Sequence, residues 1–293
     1  MQASLPVPQR PVRRKETLSW RRGLYYLVCT VLAVMFLFPL VWSLLSALKP
    51  AAEASASPPT AWPSRLSLEN FKHLADYGLG IWRYVGNSLI VSAITVAGTV
   101  VLSTLAGYGF SRFNFPGKNL AFVTLLTTLM IPFASMLTPL FILLRVLHLQ
   151  NTLLGLALVY TTFQLPFSVF MMRNSFDVLP KELEEAALLD GATTSSLLLR
   201  VMLPLASPGV VTVGLFAFFA SWNEFLAALI FMSDDSNYTL PVMLLNAQTG
   251  LFGLVNWGAM QAGLVVAMLP CAVLFLLLQR FYVRGLIAGS TKG

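Results

Sequence analysis

Six apolar runs, at about residues 24–48, 85–110, 120–144, 152–172, 209–232 and 258–282, decide what this 293-residue chain can fold into. Each is about 20–26 residues long. At about 1.5 Å of rise per residue, a helix of that length crosses a hydrocarbon layer of about 30 Å with some tilt. Lipid offers backbone amides and carbonyls no partners, so each run must satisfy its own, as a helix does. The expected fold is therefore all-α and membrane-embedded, with six transmembrane helices. Composition agrees: the chain is 57% hydrophobic and 11% charged, where soluble domains carry about 25% charged residues.

The connections set the organisation. Residues 1–22 are rich in Pro and Arg without apolar periodicity, so a disordered tail is expected before a single membrane domain over 23–293. The first run exceeds the roughly 7–15 apolar residues of a signal peptide and has further spans behind it. Residues 49–83 form a polar connection with one short interfacial helix expected at 68–77. A tight turn is expected at 111–119, a short link at 145–151, a polar loop at 233–256 and a tail at 283–293. Prolines in the first, third, fourth and sixth runs predict bent helices. Aromatic residues near the run ends, among them Trp20, Trp82, Tyr84 and Trp257, are expected as interfacial anchors.

Six spans put both termini on one side. With the N-terminus inside, 14 of the 19 basic residues are cytoplasmic, and only Lys49, Arg65, Lys72, Arg83 and Arg145 remain outside. That bias orients membrane proteins. The net charge of +7 is not gathered into the patch that a nucleic acid requires, so the partner surface is membrane lipid. Cys29 and Cys271 lie inside apolar runs and His73 and His148 stand alone, so neither a metal site nor a catalytic set is proposed.

One polar island, 173–208, interrupts this pattern on the side assigned to the cytoplasm. Pro180 suits a first helical turn, where its missing donor would be unpaired anyway. Glu182, Glu184 and Glu185 crowd that turn, where the helix dipole favours negative charge. Asp190 and Gly191 end the helix, Gly being able to take the left-handed conformation. A second short helix, capped by Thr193, Thr194 or Ser195, is expected to run to about Val201 and to be closed by Pro204, with Pro208 opening the fifth span. Ala186, Ala187, Gly191 and Ala192 leave the turn without bulk, so a partner can approach the backbone. On local physics alone, an ordinary interfacial linker remains equally open.

The spacing Glu185-Ala186-Ala187-x3-Gly191-x9-Val201-x-Leu203-Pro204 resembles the signature of membrane subunits of ABC importers, with Val201 where Ile is usual. Asn174-Ser175-Phe176, Ser221-Trp222-Asn223-Glu224-Phe225 and the C-terminal Gly285 to Gly293 segment look like the shorter permease of maltose-type carbohydrate importers. The likeness covers about residues 24–293. It implies a type I ABC importer permease fold in which 173–208 forms a coupling helix docking on an ATPase. Glu185, Ala186, Ala187, Asp190, Gly191, Val201, Leu203 and Pro204 would be the coupling residues. It further implies a second homologous permease subunit, two ATP-binding subunits, an extracytoplasmic sugar-binding protein and a prokaryotic cell (inner) membrane. The chain lacks a phosphate-cradling G-x-x-x-x-G-K-[ST] motif. No cofactor is therefore expected on it, and ATP with Mg would be bound in the ATPase partners.

Glu224 is the one acidic residue inside an apolar run. A charge there is expensive and must face a cavity or a partner. Two readings stay open: with Asn223 and Gln164 it lines a substrate path, or it makes an interhelical hydrogen bond. The alternatives to a sugar permease are an ion-coupled secondary transporter, or an ABC permease for a glycerol phosphate or polyol. The first would need more ionisable groups near the midplane, ordinarily in repeated halves.

Overall fold

The computed structural model describes residues 20–56, 58–249 and 256–290, which contain helices and no strands. Apart from single turns at Ala51–Ala54 and Asp235–Asn237, these are in order α1 (Trp20–Ala47), α2 (Glu69–Ala75), α3 (Ile81–Arg112), α4 (Lys118–Met130), α5 (Phe133–Val146), α6 (Leu153–Asp177), α7 (Lys181–Leu189), α8 (Thr194–Leu205), α9 (Ser207–Asn223), α10 (Leu226–Phe231), α11 (Leu240–Thr249) and α12 (Trp257–Ser290). Among the described residues, four helices are long and apolar enough to cross a membrane, and two bent pairs raise the candidate spans to six. Most of the predicted N-terminal tail lies outside the described residues, although Trp20, Arg21 and Arg22 already belong to α1.

The chain divides into units Met1–Ser43 and Leu44–Gly293. In the first, the apolar side chains of α1 stand exposed, Phe36 and Phe38 among them. Such a surface is stable only in lipid or against another membrane chain.

In the second unit α3 contributes to all three apolar cores, through Val91, through Ile81 with Tyr84, and through Tyr108. Its buried side carries Ser88, Ser92, Thr95, Thr99 and Ser103, followed by Gly107, at steps of three or four residues. Small side chains at that period let helix backbones approach closely where no hydrophobic force drives helices together. Gly107 shows the consequence: a β-carbon there would lie 2.6 Å from the β-carbon of Met172 and 2.8 Å from the Arg173 nitrogen. Most of these hydroxyls bond within the bundle: Ser88 accepts from the Leu240 amide at 2.8 Å, Ser92 accepts from Ser221 at 3.1 Å and Thr95 donates to the Ala157 carbonyl at 3.4 Å, whereas the buried Thr99 hydroxyl has no hydrogen-bond partner among the described residues.

Three local expectations need correction, in the fifth run, the loop 233–256 and the tail, and a fourth, the bend in the third run, is met. The fifth run, 209–232, is not one helix: α9 ends at Asn223, Glu224 is extended at φ −75° and ψ 129°, and α10 begins at Leu226. Hydropathy averaged over the run conceals a break that one carboxylate creates. The bend expected in the third run falls at Pro132, which separates α4 from α5 by 103°, while Pro39, Pro139, Pro166 and Pro270 sit inside continuous helices. The polar loop 233–256 contains α11, whose Leu240, Val242 and Met243 are buried. The tail expected from 283 is helical as far as Ser290.

The segment leading into α11 is held by side-chain bonds. Asn151, in the left-handed region at φ 55°, accepts from the Ser233 amide at 3.0 Å and donates to Asp234. Asn87 donates to the Ser236 and Tyr238 carbonyls at 2.8 and 2.9 Å. Tyr84, expected as an interfacial anchor, is instead fully buried and donates to Asp235 at 2.7 Å.

Candidate functional site

The island folds as two short helices with a tight turn between them. Pro180 stands at the N-cap of α7, with Glu182 and Glu184 in the first turn. The helix stops at Asp190, whose amide returns to the Ala186 carbonyl at 3.0 Å. Gly191 follows at φ +83°, and the Ala192 amide closes on the Ala187 carbonyl at 3.0 Å. Thr193 then caps α8, its hydroxyl accepting from the Ser196 amide at 3.3 Å. Pro204 does not close this helix, contrary to expectation. Leu198–Met202 widens into a π turn, which relieves the clash between a proline ring and the preceding turn. The helix then runs on to Leu205, and the bend of 79° falls between α8 and α9.

The signature residues divide between two surfaces. Glu185, Ala186, Asp190, Gly191 and Pro204 are exposed, while Ala187, Val201 and Leu203 are half-buried. The inner surface is a true core: Leu197, Leu198, Met202 and Ala206 pack with Tyr108, Met172, Phe176 and Val213. The outer surface is not simply polar. Leu189 is 90% exposed, and Leu183, Leu188, Leu199 and Leu205 are also exposed. Apolar side chains concentrated on a short loop mark a surface that something else covers.

Three residues absent from the motif hold the island in place. Arg112, at the end of α3, has a side chain only 5% exposed and approaches Glu184 of α7 at 3.2 Å. Its terminal nitrogen donates to the carbonyls of Phe176 and Leu179, each at 2.9 Å. Tyr108 donates to Glu184 at 3.1 Å. In the sequence, Arg112 registers only as one positive charge at a span end; Tyr108 and Arg112 at i and i+4 share a helix face, a signal that becomes legible once Glu184 is known to face them.

A second polar feature lies inside the bundle. A cavity of about 250 Å³ is lined by Thr95, Phe133, Tyr160, Phe163, Gln164, Ala220, Ser221 and Glu224. Gln164 and Glu224 are thus brought together, whereas Asn223 is exposed and donates back to the Phe219 carbonyl at 2.9 Å. Glu224 accepts from the Tyr160 hydroxyl and from the amides of Ala227 and Ala228 at 3.0 and 3.4 Å. The carboxylate therefore both links two helices and caps α10. Phe133 and Phe163 meet edge to face at 4.6 Å beside it. A larger groove of about 700 Å³ between α3, α9 and α12 is lined by apolar side chains and offers a polar molecule no hydrogen bonds. Among the described residues no group of three His, Cys, Asp or Glu side chains is placed to hold a metal ion.

Residues 99–287 match the family described as binding-protein-dependent transport system inner membrane component. The chain is 37% identical to a probable ABC transporter permease of Bacillus subtilis, over 98% of this chain and 96% of that protein. It is 34% identical to the diacetylchitobiose uptake system permease of Streptomyces coelicolor, over 90% and 94% respectively. Among solved structures, a bacterial ABC transporter involved in import of the acidic polysaccharide alginate matches with a TM-score of 0.79 at 18% identity. That match covers 93% of this chain and 100% of the other, and it concerns the fold.

Proposed function

The chain belongs to the family of binding-protein-dependent transport system inner membrane components, and from that premise we propose that it is one of two permease subunits of an ATP-driven importer of di- or oligosaccharides. It forms half of a pathway through the cell membrane, with both termini in the cytoplasm as the distribution of basic residues favours. Two separate ATPase subunits bind ATP with Mg and hydrolyse it. An extracytoplasmic binding protein delivers the sugar. The cargo class follows from the diacetylchitobiose permease that the chain resembles and from the maltose-type motifs.

The observation that carries the reading is the two-sided island. Its inner surface is locked into the bundle, and its outer surface presents Leu188, Leu189 and an open turn at Gly191, where a β-carbon would meet nothing within 4 Å. Closure of the ATPase subunits on ATP displaces this surface, and the spans rock so that the pathway opens to one side and then the other. Glu185, Ala186, Asp190 and Gly191 are the contact residues; Ala187, Val201, Leu203 and Pro204 shape the support beneath them. In the interior cavity, Gln164 supplies an amide and Phe133 and Phe163 supply rings to a passing hydroxylated cargo, with Glu224 shaping the wall. Asn223 stands outside that lining.

The test is reconstitution with the second permease, the ATPase and the binding protein in lipid vesicles, with diacetylchitobiose and maltose as probes. ATP hydrolysis stimulated by a sugar-loaded binding protein, with uptake that resists an uncoupler, is expected. Uptake that continues without the ATPase and collapses with the uncoupler would replace this reading with an ion-coupled one.

A further inference from the structure

Besides its apolar packing, the island is tied to the bundle by polar contacts that centre on one buried guanidinium. Where α6 gives way to α7, the carbonyls of Phe176, which also takes the Leu179 amide at 3.0 Å, and of Leu179, in the link between the helices, both accept from the same nitrogen of Arg112 at 2.9 Å. The Nε edge lies 3.2 Å from a Glu184 carboxylate oxygen, an ion pair by distance whose N–H is not aimed squarely at that oxygen. The other Glu184 oxygen accepts from Tyr108 at 3.1 Å. Beside them, Ser111 donates to Asp177 at 2.6 Å. The planar fork of arginine can address a carboxylate and two carbonyls together, which a lysine ammonium cannot do in the same geometry.

The placement matters because of what α3 and α6 carry further along. Thr95 lies on α3, and Tyr160, Phe163 and Gln164 lie on α6; these four residues form half of the cavity lining. The covalent route from the island into α9 passes instead through the 79° bend after Leu205.

We propose that Arg112 is the positioning residue that makes the island move as one body with α3 and α6, so that displacement of α7 is delivered to the cavity wall. The proposal rests on the reading of the island as the ATPase-docking surface. A pair packed without this clamp could slide, with the 79° bend absorbing the motion.

The test uses the full complex in lipid vesicles, with Cys29 and Cys271 replaced by Ser and MgATP with vanadate as the only added ligand. One spin-label pair joins α6 and α9 through exposed Thr162 and Phe216; another joins exposed Lys181 to the ATPase. In protein otherwise unaltered, both distances should change with ATP. No change at the α6–α9 pair there would refute the ATP-driven reading itself and leave no motion for a clamp to transmit. Arg112→Ala should retain the Lys181 response and diminish the α6–α9 response by about tenfold, within the range usual for coupling between distant sites. Arg112→Lys should fall between the two. A full α6–α9 response in Arg112→Ala overturns the proposal. Should Arg112→Ala shed the ATPase, the R112C/E184C variant joined by a short reducible bis-thiosulfonate linker decides, its spin labels attached as oximes to ketone-bearing residues at 162 and 216 so that neither linker nor reductant acts on them. The linked form must respond and the reduced form must not; any other pairing overturns the proposal.

Discussion

Gly191 offers the sharpest test of the proposed coupling surface, because the structure separates backbone cost from contact cost at this residue. At φ +83° an alanine would incur about 1 kcal/mol of left-handed strain. Asparagine tolerates this region better and should incur less. A tryptophan would carry roughly the same backbone strain as alanine, and its β-carbon, like that of alanine, would meet nothing within 4 Å. Thermal unfolding of the permease should therefore place Asn nearest to wild type and Ala and Trp together below it. Docking should rank the variants differently. If Gly191 makes the contact proposed above, a bulky side chain there should cost about 3 kcal/mol, or about a hundredfold in affinity for the ATPase, whereas Asn and Ala should lose little. Co-purification of the ATPase and vesicle uptake measure this term. If Trp and Ala variants of equal stability took up cargo equally, the open turn would not be a contact surface and the reasoning would fail.

Three further outcomes follow from the bundle. Gly107→Val drives a side chain into the Arg173 backbone and should destabilise the bundle by about 2 kcal/mol, read as a lower unfolding temperature in detergent; an unchanged temperature would mean that α3 and α6 are not so close. Glu224→Ala removes the cap of α10 and should cost about 1 kcal/mol, whereas Glu224→Gln keeps an acceptor and should cost less; equal losses would assign the role to charge rather than capping. Glu53 accepts from the Ser64 hydroxyl and amide at 2.7 and 3.1 Å and from Thr60 at 2.8 Å, bonds that hold its carboxyl below the usual range. Its contribution is thus complete above the ordinary carboxylate pKa and is lost as pH falls through the lowered one. Hydrogen exchange at the Ser64 amide should accelerate relative to its neighbours only on that acid side, and Glu53→Gln should abolish the pH dependence.

What hydropathy reads and misses follows from its averaging. It finds runs long enough for lipid because twenty side chains vote together, and capping chemistry finds Pro180, Gly191 and Thr193 because each acts on its own neighbours. It misses the break at Glu224, where one carboxylate outweighs the apolar residues around it by bonding two amides of the next turn. It misses α11, because Asn246 and Gln248 dilute Leu240, Val242 and Met243 within a segment that follows two aspartates. The pairing of Arg112 with Glu184 is 72 residues apart in sequence (184 − 112), and local chemistry at neither residue anticipates it. The hydroxyl stripe on α3 carries period three to four in plain view, yet such residues read as neutral until α6 is known to lie against them.

The breaks and the clamp together divide the unit beginning at Leu44 into stiff pieces and joints. Joints fall where a backbone bond is withheld or rerouted: at Pro132, at Ala206 beyond the π turn, and at Glu224. Each is accommodated by a different device, since irregular backbone in lipid survives only where side chains or neighbouring helices satisfy it. Stiffness falls where α3 and α6 touch along small residues and where Arg112 closes their ends. A bundle soft throughout would dissipate a push at α7, and one stiff throughout would resist it. The interior cavity lies where the two kinds of element meet, with Phe133 at the foot of one joint, Glu224 at another, and Thr95, Tyr160, Phe163 and Gln164 on the stiff pair. A displacement carried by α3 and α6 therefore moves four lining residues together against two that are seated on joints, which is the geometry that changes the shape of a cavity rather than merely its position.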